Sequence, residues 1–171
     1  KTILVTSSAP QEGKTTVAVN LAGSFAQDNK KTLIIDCDLR KPRVHNVFKI
    51  NRYPGLVDYL FGQVSLEEII KQTEVNNLSV ITAGTIPPNP SEMLGSSAMQ
   101  QFFSEMKKRY DVIIVDSPPI IAVTDSEILS RMVNGTILVV SANTTETDLM
   151  KKSSELIKHD RGSFLGAVLN N

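Results

Sequence analysis

The sequence predicts an α/β fold in which a mostly parallel sheet carries helices on both faces. Three observations predict it. Short apolar, β-branched runs recur along the chain, separated by longer stretches with helical spacing. Several of those runs lack polar alternation, as strands buried from both sides do. The stretch Ser8-Ala9-Pro10-Gln11-Glu12-Gly13-Lys14-Thr15 lies between the first run and the first helix, where a phosphate-binding loop belongs.

Ile3–Val5 opens the chain as a strand. Lys14–Gln27 follows as a helix, with Val17, Ala18, Leu21, Ala22 and Phe25 at helical spacing. Thr32–Ile35 and Leu78–Ile81 are further strands. Ser97–Arg109 sets Met99, Phe102, Phe103 and Met106, then Tyr110, on one helical face. Val112–Val115 and Gly135–Val140 are strands, Asp148–His159 is a weakly patterned helix, and Phe164–Leu169 closes as a strand. Arg40–Asn51 and Thr82–Gly95 read as irregular. Pro87, Pro88 and Pro90 argue against regular helix in the second stretch.

The chain has 171 residues, which suggests a single domain over 1–171. Hydrophobic residues make up 41% and charged residues 21%, a balance that excludes disorder. Eighteen basic residues offset eighteen acidic ones, so nothing calls for nucleic acid as a partner. A single cysteine excludes an internal disulfide and a cysteine-rich zinc site. No apolar run approaches the roughly 20 residues of a membrane span. Because the chain begins at Lys1 rather than Met, it is expected to be a piece of a longer protein.

In sheets of this kind ligands bind at the carboxyl ends of strands. The loop after the first strand matches G-x-x-x-x-G-K-[ST], with Ser8 in the place of the first glycine. This makes the expected architecture a P-loop NTPase-type three-layer fold binding ATP or ADP. Gly13 allows backbone to approach phosphate, and successive amides and the helix start supply positive potential. Lys14 is expected on the β- and γ-phosphates, Thr15 on Mg²⁺, and Thr16 near the α-phosphate. If the Ser8 position demands a positive φ, the serine carries strain there.

The second strand ends in Asp36-Cys37-Asp38-Leu39-Arg40. Strand alternation predicts that Asp36, Asp38 and Arg40 share one face. Of two carboxylates beside a phosphate site, one can hold an ion and the other accept a proton from an attacking hydroxyl. Cys37 points away and reads as a buried, inert thiol. Val112-Ile113-Ile114-Val115-Asp116 has the form of a metal-binding Walker B strand. His45 and His159 are lone histidines expected at the surface.

Together these motifs resemble the cytoplasmic kinase domain of the bacterial tyrosine kinase family, which acts in capsule and exopolysaccharide synthesis. The run Asp36-Cys37-Asp38-Leu39-Arg40-Lys41-Pro42 is similar to the family's second Walker motif. Pro54-Gly55-Leu56 through Gly62, Gly84-Thr85-Ile86-Pro87-Pro88-Asn89-Pro90-Ser91-Glu92-Met93-Leu94, Asp116-Ser117-Pro118-Pro119 and Gly166–Asn170 agree as well. The resemblance implies ATP-dependent phosphorylation of protein tyrosines. Lys14, Asp36 and Asp38 are the implied catalytic residues, with Asp36 as the base for the phenol. Thr15, Asp38 and Asp116 are the implied metal residues. Ser8, Ala9, Gln11, Glu12, Gly13, Lys14, Thr15, Thr16, Arg40 and Asn170 are placed with the nucleotide, Asn170 at the adenine.

The resemblance further implies a tyrosine-bearing protein substrate, including the protein's own tail, a transmembrane activator and a ring-like homo-oligomer. It places the domain in the cytoplasm, at the inner face of the plasma membrane. Family tails carry clustered tyrosines; here the tyrosines are Tyr53, Tyr59 and Tyr110, none clustered. The basic cluster Arg40, Lys41 and Arg43 reads as a solvated loop or a contact for acidic groups of a partner. Two other readings compete. A septum-positioning or partition ATPase of the same fold carries a lysine where Ala9 stands here. A nucleotide-binding regulatory subunit without transfer activity is a different class of answer.

Overall fold

The computed structural model describes residues 1–142, 145–159 and 163–170. Seven strands form one sheet: β1 (Thr2–Ser7), β2 (Thr32–Asp36), β3 (Lys71–Gln72), β4 (Leu78–Ile81), β5 (Val112–Asp116), β6 (Gly135–Ser141) and β7 (Phe164–Asn170). Their order is β3-β4-β2-β5-β1-β6-β7. Every pairing is parallel except that of β3 with β4. The six strands read from sequence are all present. The two-residue β3 is too short to show a period, and it blunts one edge of the sheet.

Alternation in the central strands divides the apolar residues between two faces. Leu33, Ile35, Ile113 and Val115 pack into one core with Met99, Phe102, Phe103 and Met106 of α6 (Ser97–Arg109). Ile34, Val112 and Ile114 face the other way, against Ala18, Ala22 and Ala26 of α1 (Lys14–Gln27). The small side chains of α1 let its backbone lie close to the sheet. Ser96 caps α6, its hydroxyl accepting a bond from the Met99 amide at 3.2 Å. A third, smaller cluster of Ile120, Leu138, Val140 and Ile157 fixes α8 (Thr147–His159) beside β6.

Short helices α2 (Val44–Val47) and α5 (Pro90–Leu94) occupy the two stretches read as irregular, and three more, α3 (Leu56–Leu60), α4 (Leu66–Ile69) and α7 (Asp125–Ser130), lie where no element was read. The proline-rich stretch therefore does contain helix. Pro90 stands in the first turn of α5, where its missing N–H costs nothing. His45 is half-buried rather than at the surface; the side chain of His159 lies outside the described residues.

Candidate nucleotide and phosphoryl-transfer site

The site forms where β1, β2 and β5 end side by side. Gly13 takes a left-handed backbone, φ 85°, immediately before α1. A Cβ there would run into the Asn170 side chain. The other left-handed residue of the loop is Gln11, φ 68°, not Ser8. The strain anticipated at Ser8 is therefore absent. Its hydroxyl instead accepts a bond from the buried Ser153 of α8 at 2.9 Å, which ties the loop to that helix.

A cavity of about 390 Å³ is lined by Gln11, Gly13, Lys14, Thr15, Thr16, Asp38, Arg40, Lys41 and Arg43, with Pro118, Pro119, Ala122 and Val123 supplying apolar wall. Lys14 Nζ lies 2.9 Å from Asp38 Oδ2 and 4.0 Å from Asp116 Oδ1. Burial opposes its charge, yet Asp116 and Asp38 outweigh burial and hold its pKa above the ordinary value. Thr15 Oγ1 donates to Asp116 Oδ2 at 2.7 Å. The adjacent Lys14 and Thr15 thus meet Asp38 and Asp116, which are distant in sequence.

Several expected residues sit elsewhere than the cavity wall. β2 ends at Asp36, so the strand alternation that put Asp36, Asp38 and Arg40 on one face does not continue. Asp36 is fully buried. Its Oδ2 accepts from the Arg43 and Val44 amides, each at 3.0 Å, and its Oδ1 from the Asp38 amide at 3.2 Å. Burial and the paired Asp116 on β5 push Asp36 up to about 8. Burial also raises Asp116, against the pull of Lys14 and the Thr15 bond. Cys37 is buried, and burial raises its thiol well above the usual range. This agrees with an inert core residue.

Arg40 borders the cavity, but its guanidinium is committed sideways. Nε and Nη2 donate to the two oxygens of Asp125 at 2.9 and 3.0 Å, and Nη2 to Ser91 Oγ at 3.2 Å. Asp125 was not legible in the sequence as a site residue; it lies in no motif and meets Arg40 only through the fold. Ser91 stood inside the proline-rich motif that carried the resemblance. Glu12 turns inward: Oε2 accepts from the Ala9 amide at 2.8 Å, and Oε1 accepts from the Thr145 hydroxyl. Asn170 Nδ2 donates to the Glu12 carbonyl at 3.1 Å, so in this structure it braces the loop from β7.

The donor set fits a magnesium ion. Asp116 Oδ1 is buried without a hydrogen-bond partner beside the Thr15 hydroxyl. Among the described residues no group of three or more His, Cys, Asp or Glu forms a metal cage. An ion here takes its other ligands from phosphate and water, which is how Mg²⁺ is commonly bound.

Fold and site define a P-loop nucleotide-binding domain. A family model described as an AAA domain matches residues 1–159. Tyrosine-protein kinase YwqD of Bacillus subtilis is 42% identical over 170 residues, spanning 99% of this chain and 72% of that protein. The crystal structure of the VpsO kinase domain matches with a TM-score of 0.96 at 39% identity, covering 99% of this chain and 84% of that one. The kinase domain of Escherichia coli tyrosine kinase ETK matches with a TM-score of 0.95 at 35% identity, over 99% and 67% of the two chains. The full-length Escherichia coli etk protein is spanned only to 23% of its length. The chain belongs to the bacterial tyrosine-protein kinases, and its enzymatic class is that of a protein-tyrosine kinase.

Proposed function

We propose that this domain transfers the γ-phosphoryl group of ATP to protein tyrosines in the control of capsule or exopolysaccharide synthesis. The observation that carries the reading is that Lys14, Thr15 and Asp38 line one cavity at the start of α1, with the buried Asp116 bonded to Thr15 and close to Lys14 behind them. The amides and positive end of α1 hold phosphate, and Lys14 leaves Asp38 for the phosphate oxygens. Thr15 and Asp116 hold Mg²⁺, with Asp38 beside it; the ion supplies charge neutralisation on the β- and γ-phosphates. The tyrosine oxygen bonds to the γ-phosphorus as the bond to the β–γ bridging oxygen breaks and ADP leaves.

Asp36 receives the phenolic proton. Burial and the neighbouring Asp116 raise its pKa, which strengthens the carboxylate as a proton acceptor. Three amides of the loop at 38–44 now close over it, so access requires that loop to yield. Arg40 serves the site from its Asp125 anchor. Ser8, Ala9, Gln11, Glu12, Gly13 and Thr16 shape the phosphate cradle, and Asn170 steadies it.

Among the described residues no helix is long and apolar enough to cross a membrane. The domain is read as cytoplasmic, joined at the inner face of the membrane to a transmembrane activator and assembled as a ring. The decisive experiment is a phosphotyrosine assay with Mg·ATP on Lys14→Met, with circular dichroism to show that the fold persists. Loss of transfer in a folded protein is expected; undiminished transfer removes Lys14 from the mechanism.

A further inference from the structure

The mouth of the cavity carries cations that the nucleotide site leaves unused. Lys14 is paired with Asp38, and Arg40 is held by Asp125. Lys41 and Arg43 line the same cavity, are exposed, and make no ion pair among the described residues. Their backbone is not loose. The Lys41 amide donates to Asp38 Oδ1 at 3.0 Å and the Arg43 amide to Asp36 Oδ2 at 3.0 Å. Two carboxylates inside the site therefore hold the loop on which two free cations stand. The cavity's apolar wall, Pro118, Pro119, Ala122 and Val123, suits an aromatic ring rather than a charged group.

We infer that Lys41 and Arg43 select acceptor segments in which the tyrosine is flanked by aspartate or glutamate. This rests on the tyrosine-kinase reading above and names its substrate class. The ring of the acceptor lies on the apolar wall, and the flanking carboxylates meet the two cations at the rim. A chain of zero net charge has no overall attraction for acidic peptides, so the preference is local to this loop. Exposed pairs of this kind give selectivity and faster encounter more than raw affinity.

The test is binding of two labelled synthetic peptides to the ADP-loaded chain, read by fluorescence anisotropy. One has a central tyrosine between glutamates; in the other, glutamines replace every glutamate. The acidic peptide is expected to bind more tightly, with the difference shrinking as salt is raised. Lys41→Glu/Arg43→Glu is expected to lower the acidic-to-neutral affinity ratio by about tenfold. A ratio unmoved by the charge reversal overturns the inference, as does a wild-type protein without preference. Weakening of ADP binding in step with peptide binding also overturns it, since the cations would then serve the nucleotide. Failure of the kinase reading shows differently: the acidic peptide binds selectively yet gains no phosphate from Mg·ATP.

Discussion

The pair between Arg40 and Asp125 should break with very different consequences from its two sides. The Asp125 side chain is 0% exposed and the Arg40 side chain 40%. Arg40→Met strands a fully buried carboxylate whose remaining bond is from the Ser91 hydroxyl at 2.7 Å. An uncompensated buried charge costs about 3–5 kcal/mol. Asp125→Asn strands a guanidinium that water can reach, and the loss is then about 1–2 kcal/mol. Urea unfolding reads the difference. With a slope of about 2 kcal/mol/M, the midpoint should fall by roughly 1.5–2.5 M for Arg40→Met and by roughly 0.5–1 M for Asp125→Asn. Equal losses for the two variants would refute the reasoning.

Two further outcomes are expected. Asp36 is raised to about 8 by burial and Asp116, so its contribution to stability is complete below the ordinary carboxylate range and is lost as pH rises towards 8; Asp36→Asn should flatten that slope in urea titrations between pH 4 and pH 8, and an unchanged slope assigns the effect to another group. Phe102 is 1% exposed and packs against Tyr59 and Phe103, so Phe102→Ala should cost about 3–5 kcal/mol in the same assay, and a loss under 1 kcal/mol would mean that the α6 core collapses around the gap.

Period and burial explain what was legible. The apolar runs at Thr32–Ile35 and Val112–Val115 showed as strands because both faces of each are covered, so nearly every position is apolar. The helix at Lys14–Gln27 showed its exact bounds, since glycine precedes it and its apolar spacing is regular. The short helices α2, α3, α4, α5 and α7 did not show. Helices of four to six residues complete too few turns to display a period, and tertiary contacts hold them.

The sequence by itself determined the phosphate loop, the strand-end aspartates and the family, because those depend on residue types at fixed local spacing. Only the tertiary structure decided which carboxylate faces the cavity. Strand alternation assigned Asp36 and Asp38 the same side, but β2 ends at Asp36, whose oxygens turn to the amides of Asp38, Arg43 and Val44. Likewise it was the fold that gave Arg40 to Asp125, 85 positions away, and turned Asn170 against the phosphate loop from β7. Such assignments depend on where distant backbone segments come to lie, and the pattern of a single strand holds no record of what will stand opposite its end.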